Sequence, residues 1–585
     1  MSSLTTLATY APNPAPVRAQ STKLSAKGTR VVYPQGRCVV IRDLDHTHPV
    51  TVARISPSGY YCASADAAGN VRVWDLVGED QSLKLHTQAL GGRIHDLSWD
   101  GESQRIIAVG EGREALGKAF LVDTGASTGE ISGHSKPINA VAVRAQRPFR
   151  AVTVGDDTNV TFFTGVPYRY ARTLTEHTRF VHDAAYLPDG SLFCTAGADG
   201  RIFVYSGTSG DVQGELKDGE GAHDGSVYAV SASPDSKSIV SAGADGRIKV
   251  WSVESRAVVA SWHAPGDRVA AQQMGVVWAD GRIVSVSGTG ELNVFAAAGA
   301  AASLEFLHTL RGSTRGISSL VAFGGKPVGG SLDGSVYTWG DECTAVRLDG
   351  PNGPPGVVAL AAGSVLTAAA LDDKLHSVDG GDEVQLSGQP RGVAHGAGAT
   401  YVISEKGLDV ISGTSTSSIP ADKLGFEATA VAASADVVAV GGADCIVRLC
   451  TSDGNPIPNA TLEGARSAVT ALAFSPDGTL LAAGESSGKI RVYDVASREV
   501  RLTQWVFHSA RINAIAWAPD GKHAASASLD THVFVWSVER PLKHVSVKNA
   551  HAGGATGIAW LSDSVLASSG SDGVVRTYTW QHATT

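Results

Sequence analysis

The stretch "SIVSAGADGRIKVWS", residues 238–252, decides the fold. An apolar run reaches an Ala-Asp-Gly turn and leaves it as Ile-Lys-Val-Trp, alternating apolar and polar, which is the pattern of a strand, a tight turn and a second strand. The same sentence is written again as "SLFCTAGADGRIFVYS" over 191–206 and "HAASASLDTHVFVWS" over 523–537. Ahead of such hairpins stands another alternating run closed by Pro-Asp-Gly: "VTALAFSPDG" over 469–478, "INAIAWAPDG" over 512–521 and "VHDAAYLPDG" over 181–190. The repeating unit therefore has at least three strands, and the 67 glycines of the 585-residue chain fall beside them as turn residues.

Taking Trp74 as a marker, equivalent positions fall at Arg42, Val122, Phe163, Tyr205, Trp251, Phe295, Trp339, Val378, Ile411, Cys450, Tyr493, Trp536 and Tyr578. The mean spacing of about 41 residues fits the four-stranded blade of a WD-type propeller. Fourteen blades exceed what one ring holds, and two rings of seven do not. The sequence thus predicts an all-β chain of two tandem seven-bladed WD-type β-propellers, the first over 11–312 and the second over 313–585. The last repeat ends its third strand near Trp580 and leaves only Gln581 to Thr585, too few for an outer strand. Residues 4–10, LTTLATY, have β character, and they are expected to complete that blade and cover its edge. Spacings of 39 and 33 residues leading to Val378 and Ile411 predict outer strands that are short or missing near Ile411.

Lys and Arg number 48 against 57 Asp and Glu, a net charge of −9 with no basic block, which argues against a nucleic-acid partner. The longest apolar run, Val357 to Leu371, is shorter than the roughly 20 residues a membrane helix needs, so no membrane association is expected. The first residues lack the basic flank and apolar stretch of a secretory leader. Six scattered cysteines make no Cys-x-x-Cys pair. A cytoplasmic, reducing setting and a monomeric chain are expected.

Polar groups recur at fixed places in the repeats: His223, Ser241, Asp245 and Trp251; His508, Ser526, Asp530 and Trp536; His177, Thr195, Asp199 and Tyr205. A hydrolase triad uses Ser, His and Asp, but it occurs once in an enzyme. Repetition in several blades marks a buried hydrogen-bond network. No catalytic residue and no cofactor is expected. Metal ligation is not expected either, since His46 and His48 have no third and fourth ligand nearby and no zinc or calcium motif occurs. What remains for such a disc is recognition by its loops. Because strand direction alternates, the turn between a blade's second and third strands and the loop leading to the next blade lie on one face.

Several stretches carry a resemblance. "GEGREALGKAFLVDTGASTG" (110–129), "RPFR" (147–150), "GDDTNVTFF" (155–163), "EHTRFVHDAAYLPDGSLF" (176–193) and "QQMGVVW" (272–278), with "VTVARISPSGYYCASADAAGNVRVWD" (50–75), resemble the actin-interacting protein 1 family. The specific motifs lie in the first half, while the second half matches in repeat number. The resemblance implies a non-enzymatic factor that binds cofilin-decorated actin filaments and promotes their severing and depolymerisation, with actin filaments and cofilin as partners. A WD-repeat scaffold or substrate-receptor subunit of another assembly is the alternative. The resemblance also implies a partner-binding surface at Glu114, the second acid after Gly110, at Asp156, the first of the paired acids, at Phe180, the aromatic of "HTRFV", and at the basic-aromatic pair Arg169 and Tyr170. The turn rule puts Glu114, Asp156 and Phe180 on one face, with the pair on the outer strand beside them.

Overall fold

Why these repeats become sheets is visible in the burial of their second strands. Leu192–Gly197, Ser238–Gly243 and His523–Ser528 are each buried along all but their first residue. A sheet covered on both faces by neighbouring sheets needs small or apolar residues without interruption, which explains the runs of Ala, Val, Ser and Gly. In the computed structural model of the protein the described residues are 3–14, 22–27, 30–35, 38–39, 49–77, 82–266, 268–279, 281–298, 303–340, 344–348, 355–378, 383–396, 398–413 and 415–581. Arg42, His46, His48 and Cys343 lie outside them.

Among the described residues there are 13 four-stranded antiparallel sheets, as expected of WD-type propellers in tandem, and a single four-residue helix, Ala421–Leu424. The chain divides into two compact units, Asn13–Arg311 and Gly312–Thr585 joined by Met1–Pro12.

In Asn13–Arg311 six four-stranded sheets follow one another from Val50–Ile55 to Ser303–Leu310. Two short ladders, Ser25–Lys27 with Arg30–Val32 and Pro34–Gln35 with Cys38–Val39, precede them. Ser25–Lys27 packs against both Val50–Ile55 and Gln273–Ala279, the inner strands of the first and last of those sheets. The sheets hold together by side chains interleaved across blades: Ile107, Val109 and Ala119 of one pack against Ile138, Val141 and Phe163 of the next. Phe120, paired with Ile106, occupies the marker position that the sequence suggests for Val122. The loop Glu111–Leu116 displaces the count by two residues.

Charges cross the central channel of this unit. Lys23 Nζ donates to Asp183 Oδ1 at 2.8 Å with both side chains buried. Arg54 donates to Asp96 Oδ1 at 2.8 Å and to the Leu24 carbonyl at 2.6 Å. The second oxygens of the two aspartates accept from the backbones of following inner strands, Asp96 from Val141 and Asp183 from Val230. Four side chains thus tie the segment Lys23–Leu24 to the inner strands of five successive sheets. Burial first, and then the Lys23 ammonium, push the adjacent His182 imidazole down to about 4, so it is neutral near pH 7.

The second unit has seven four-stranded sheets, the last of which takes its outer strand from the start of the chain: Ser3–Tyr10 pairs antiparallel with Val575–Gln581, with a register shift between Thr6 and Ala8. Thr556 Oγ1 donates to the Ile317 carbonyl at 2.6 Å and so joins the last inner strand to the first. The blade at Ile411 corrects the sequence expectation, because its outer strand Ser415–Pro420 is complete and pairs along Gly407–Ser412. Its short spacing comes from tight turns such as Glu405–Lys406, not from a lost strand. The shortened outer strand belongs to the preceding blade, Glu383–Gln385.

Candidate functional site

The polar clusters of the repeats come first, because they place the turns. Trp251 Nε1 donates to Ser241 Oγ at 2.8 Å, Ser241 lies 2.7 Å from His223 Nε2, and His223 Nδ1 lies 2.9 Å from Asp245. The Ser526 cluster repeats this, with Trp536 at 2.7 Å, His508 at 2.8 Å and Asp530 at 2.8 Å from the imidazole. In the third cluster His177 joins Thr195 and Asp199, while the Tyr205 hydroxyl donates to Glu176. With Nδ1–H given to the carboxylate, Nε2 accepts the serine or threonine proton, so that hydroxyl is occupied and buried rather than poised to attack. The aspartates also accept backbone amides that close the turn, as Asp199 does from Thr178 and Arg201. Two further clusters escape the sequence pattern, His134–Asp157–Thr153 and His551–Asp572–Ser568 with Tyr578. Glycine ends the second strand because the imidazole lies on it: a Cβ at Gly243 would fall 2.4 Å from His223 Nδ1.

These clamps fix the turns that carry the residues the sequence proposes as a partner-binding surface. Asp156 follows strand Arg150–Gly155 in the turn to Val160–Thr164, and Glu114 lies in the corresponding turn between Arg105–Gly110 and Gly117–Leu121. Phe180 ends the loop that enters Val181–Tyr186. Its ring is 48% exposed although its carbonyl is fixed by the Ala198 amide at 2.7 Å. Glu114 is exposed and, among the described residues, unpaired. Asp156 is half-buried and accepts from Asn139 at 2.7 Å.

Arg169 and Tyr170 open the outer strand Arg169–Leu174. That start belongs to the opposite end of the blade from Asp156. Tyr170 nevertheless leans back: its hydroxyl lies 3.1 Å from Thr173 Oγ1, and its ring covers Gly133, where a Cβ would meet it at 2.9 Å. Tyr170 therefore approaches the rim of the same face, half-exposed, whereas Arg169 stays at the far end of the strand.

Two residues that the sequence reasoning passed over organise this face. Asn139, second in its inner strand, donates through one nitrogen to Asp156 and to the Val181 carbonyl at 3.0 Å. His95 stands at the same place in the preceding blade, between Glu111 Oε1 and the Ile138 carbonyl, both at 3.1 Å. Glu111, not Glu114, is accordingly the structural counterpart of Asp156. The signal was present: Val109-Gly110-Glu111 and Val154-Gly155-Asp156 have the same order of small, glycine and acid.

Residues 38–75, 169–206, 215–252 and 500–537 match the "WD domain, G-beta repeat" family, and 430–517 match the "Anaphase-promoting complex subunit 4 WD40 domain". The latter stretch spans only part of the second unit and speaks for the repeat. The chain is similar to "Actin-interacting protein 1" of Drosophila melanogaster, 36% identical over 534 residues covering 86% of each chain. It is likewise similar to "WD repeat-containing protein 1" of Gallus gallus, 36% identical over 516 residues and 83% of each, and to the "66 kDa stress protein" of Physarum polycephalum, 34% identical over 86% of this chain and 87% of that one. Identity at this level along both propeller units leaves one conclusion: the chain belongs to the actin-interacting protein 1 family of WD-repeat proteins.

Proposed function

We propose that the protein binds cofilin-decorated actin filaments and promotes their severing and depolymerisation, as a monomeric, non-enzymatic factor of the cytoplasmic actin cytoskeleton. The observation that carries this reading is the pairing of rigid support with exposure on one face: Asp156 and the backbone beside Phe180 are held by a single amide, while the Phe180 ring and the Glu114 carboxylate are left to a partner. An aromatic anchor flanked by charges has the composition of an interaction hot spot. No bond need be made or broken by the protein. A surface that binds the cofilin-altered filament more tightly than the undecorated one shifts the filament toward the altered state, by an amount set by that difference in affinity.

The test is filament disassembly followed with and without cofilin. Alanine at Glu114, Asp156, Tyr170, Phe180 or Arg169 should slow the cofilin-dependent reaction, with Phe180→Ala costing about thirtyfold if it is an anchor worth about 2 kcal/mol. Wild-type protein that ignores cofilin-actin altogether would favour a scaffold of another assembly instead.

A further inference from the structure

The second unit carries a blade that can be laid on the one holding Asp156, strand for strand. Asn513 takes the place of Asn139 and donates to the Ala555 carbonyl at 2.8 Å, as Asn139 does to Val181. His508 and Asp530 stand where His134 and Asp157 stand. What the framework presents is different. Leu529 occupies the position of Asp156 and is 51% exposed. Phe507 occupies the position of Gly133 and is 47% exposed, with Val506 beside it at 44%. Phe507 rests on His544, ring centroids 4.2 Å apart, and its outer face is open.

Charge has also changed sign. The carboxylates of these turns are already held: Glu485 by Arg491, Asp530 by His508 and Asp572 by His551. Arg511 and Lys548 are exposed on the loops that lead into Ile512–Trp517 and Ala555–Ser562, at the same end of the blades, and neither has an ion pair among the described residues. The Arg511 carbonyl accepts the Leu529 amide at 3.0 Å, which sets cation and apolar side chain next to each other. Exposed acids nearer in sequence, among them Glu499, Asp520 and Glu539, lie in turns at the opposite end of the blades, and on the loops of this end Glu463, entering the preceding blade, is the nearest exposed one in sequence. On a chain of net charge −9, this rim is apolar and locally cationic.

We infer that the loops of this blade, with Phe507 and Leu529 as apolar seats and Arg511 and Lys548 as charge partners, dock an acidic peptide segment bearing bulky apolar side chains. Charge complementarity selects the occupant: an acidic segment gains from both free cations, while a basic or neutral one gains from neither. The two half-exposed seats lie on either side of the His508 turn and suit side chains of an extended segment better than a lipid surface, which would require a broad apolar face and many more cations. The inference stands apart from the face around Asp156, since the equivalent position there is acidic and would repel the same ligand.

The experiment uses the full chain and a fluorescein-labelled peptide of alternating glutamate and leucine, read by anisotropy. The lysine-and-leucine peptide and phosphatidylserine vesicles serve as parallel arms. Binding of the acidic peptide alone is expected, weakened about tenfold by the double charge reversal Arg511→Glu with Lys548→Glu and by a similar factor by Leu529→Asp. Phe507→Ala should weaken it as well; the charge variants lie on the exposed surface and answer the question should that variant unfold. Equal binding of the basic peptide, acidic binding unmoved by the double reversal, or binding to vesicles without binding to peptide would each overturn the inference. Cofilin-dependent filament disassembly by the double-reversal variant reports separately on the face around Asp156.

Discussion

The side-chain nitrogen of Asn139 stands 2.7 Å from Asp156 Oδ1 and donates also to the carbonyl of Val181, the residue after Phe180. One amide on an inner strand thereby fixes the acid of its own blade and the approach of the aromatic in the next. Asn139→Leu keeps the bulk and loses both bonds. Stability should fall by about 1–3 kcal/mol, since Val181 loses a partner. Cofilin-dependent disassembly should slow about tenfold at temperatures where the variant is folded. A variant that melts early but disassembles filaments at the normal rate would assign Asn139 to stability alone.

Lys23 gives a second prediction. It is buried against Asp183, and the two lie 160 positions apart in sequence. Removing one partner of a buried pair leaves the other charge uncompensated, at a cost of about 3–5 kcal/mol. Lys23→Met should therefore lower the denaturant midpoint sharply, and adding Asp183→Asn should restore much of it, because asparagine still offers an acceptor to the Val230 amide. If the double variant were no more stable than the single one, charge compensation would not be what Lys23 supplies.

Acid should act through the turn aspartates. Burial opposes the charge of Asp530, but hydrogen bonds from His508 and the Ser509 amide outweigh it and hold its pKa at about 2. In the unfolded chain the same group titrates near 4, roughly the ordinary aspartate value. The unfolded state therefore takes up the proton first. The contribution is fully present above that value and is lost as pH falls toward the folded one. Asp530→Asn should reduce stability at neutral pH and flatten this part of the acid limb in urea titrations; a limb of unchanged slope would count against the assignment.

The outer edge of the last blade supplies the fourth. Deleting residues 1–10 exposes the far side of Val575–Gln581, which carries the buried Tyr578 and Trp580. Amide exchange should quicken in Val575–Gln581 and its neighbour Val565–Gly570, and stay as it was in Asn13–Arg311. Unaltered exchange at Tyr578 would be the contrary result.

The hairpins were legible because their determinants are local: alternation, an Ala-Asp-Gly turn and a spacing that repeats. The clusters around His223, His508 and His177 were legible for the same reason, since their members lie within one repeat. What could not be read is what reaches across repeats. Lys23 looks like any solvated lysine until the channel brings Asp183 to it, and Asn139 like any polar residue of an inner strand. The acid at Glu111 was overlooked because Glu114 follows three residues later, and only register tells which continues the strand. The full outer strand after Ile411 shows the converse: a short spacing records short turns as readily as a missing strand.

The sheet that joins Ser3–Tyr10 to Val575–Gln581 places the first of the described strands beside the last. On a ribosome adding about 5–20 residues each second, the amino-terminal strand must wait on the order of a minute for its partner. For roughly the second half of that interval Asn13–Arg311 has all of its own strands and can close. The second unit has no such option: six of its sheets can form as they emerge, but the ring stays open until Val575–Gln581 has been made. Its completion thus requires that Val575–Gln581 has been made, and a product ending before Val575 would retain Ser3–Tyr10 as an unpaired edge, open to pairing with another chain.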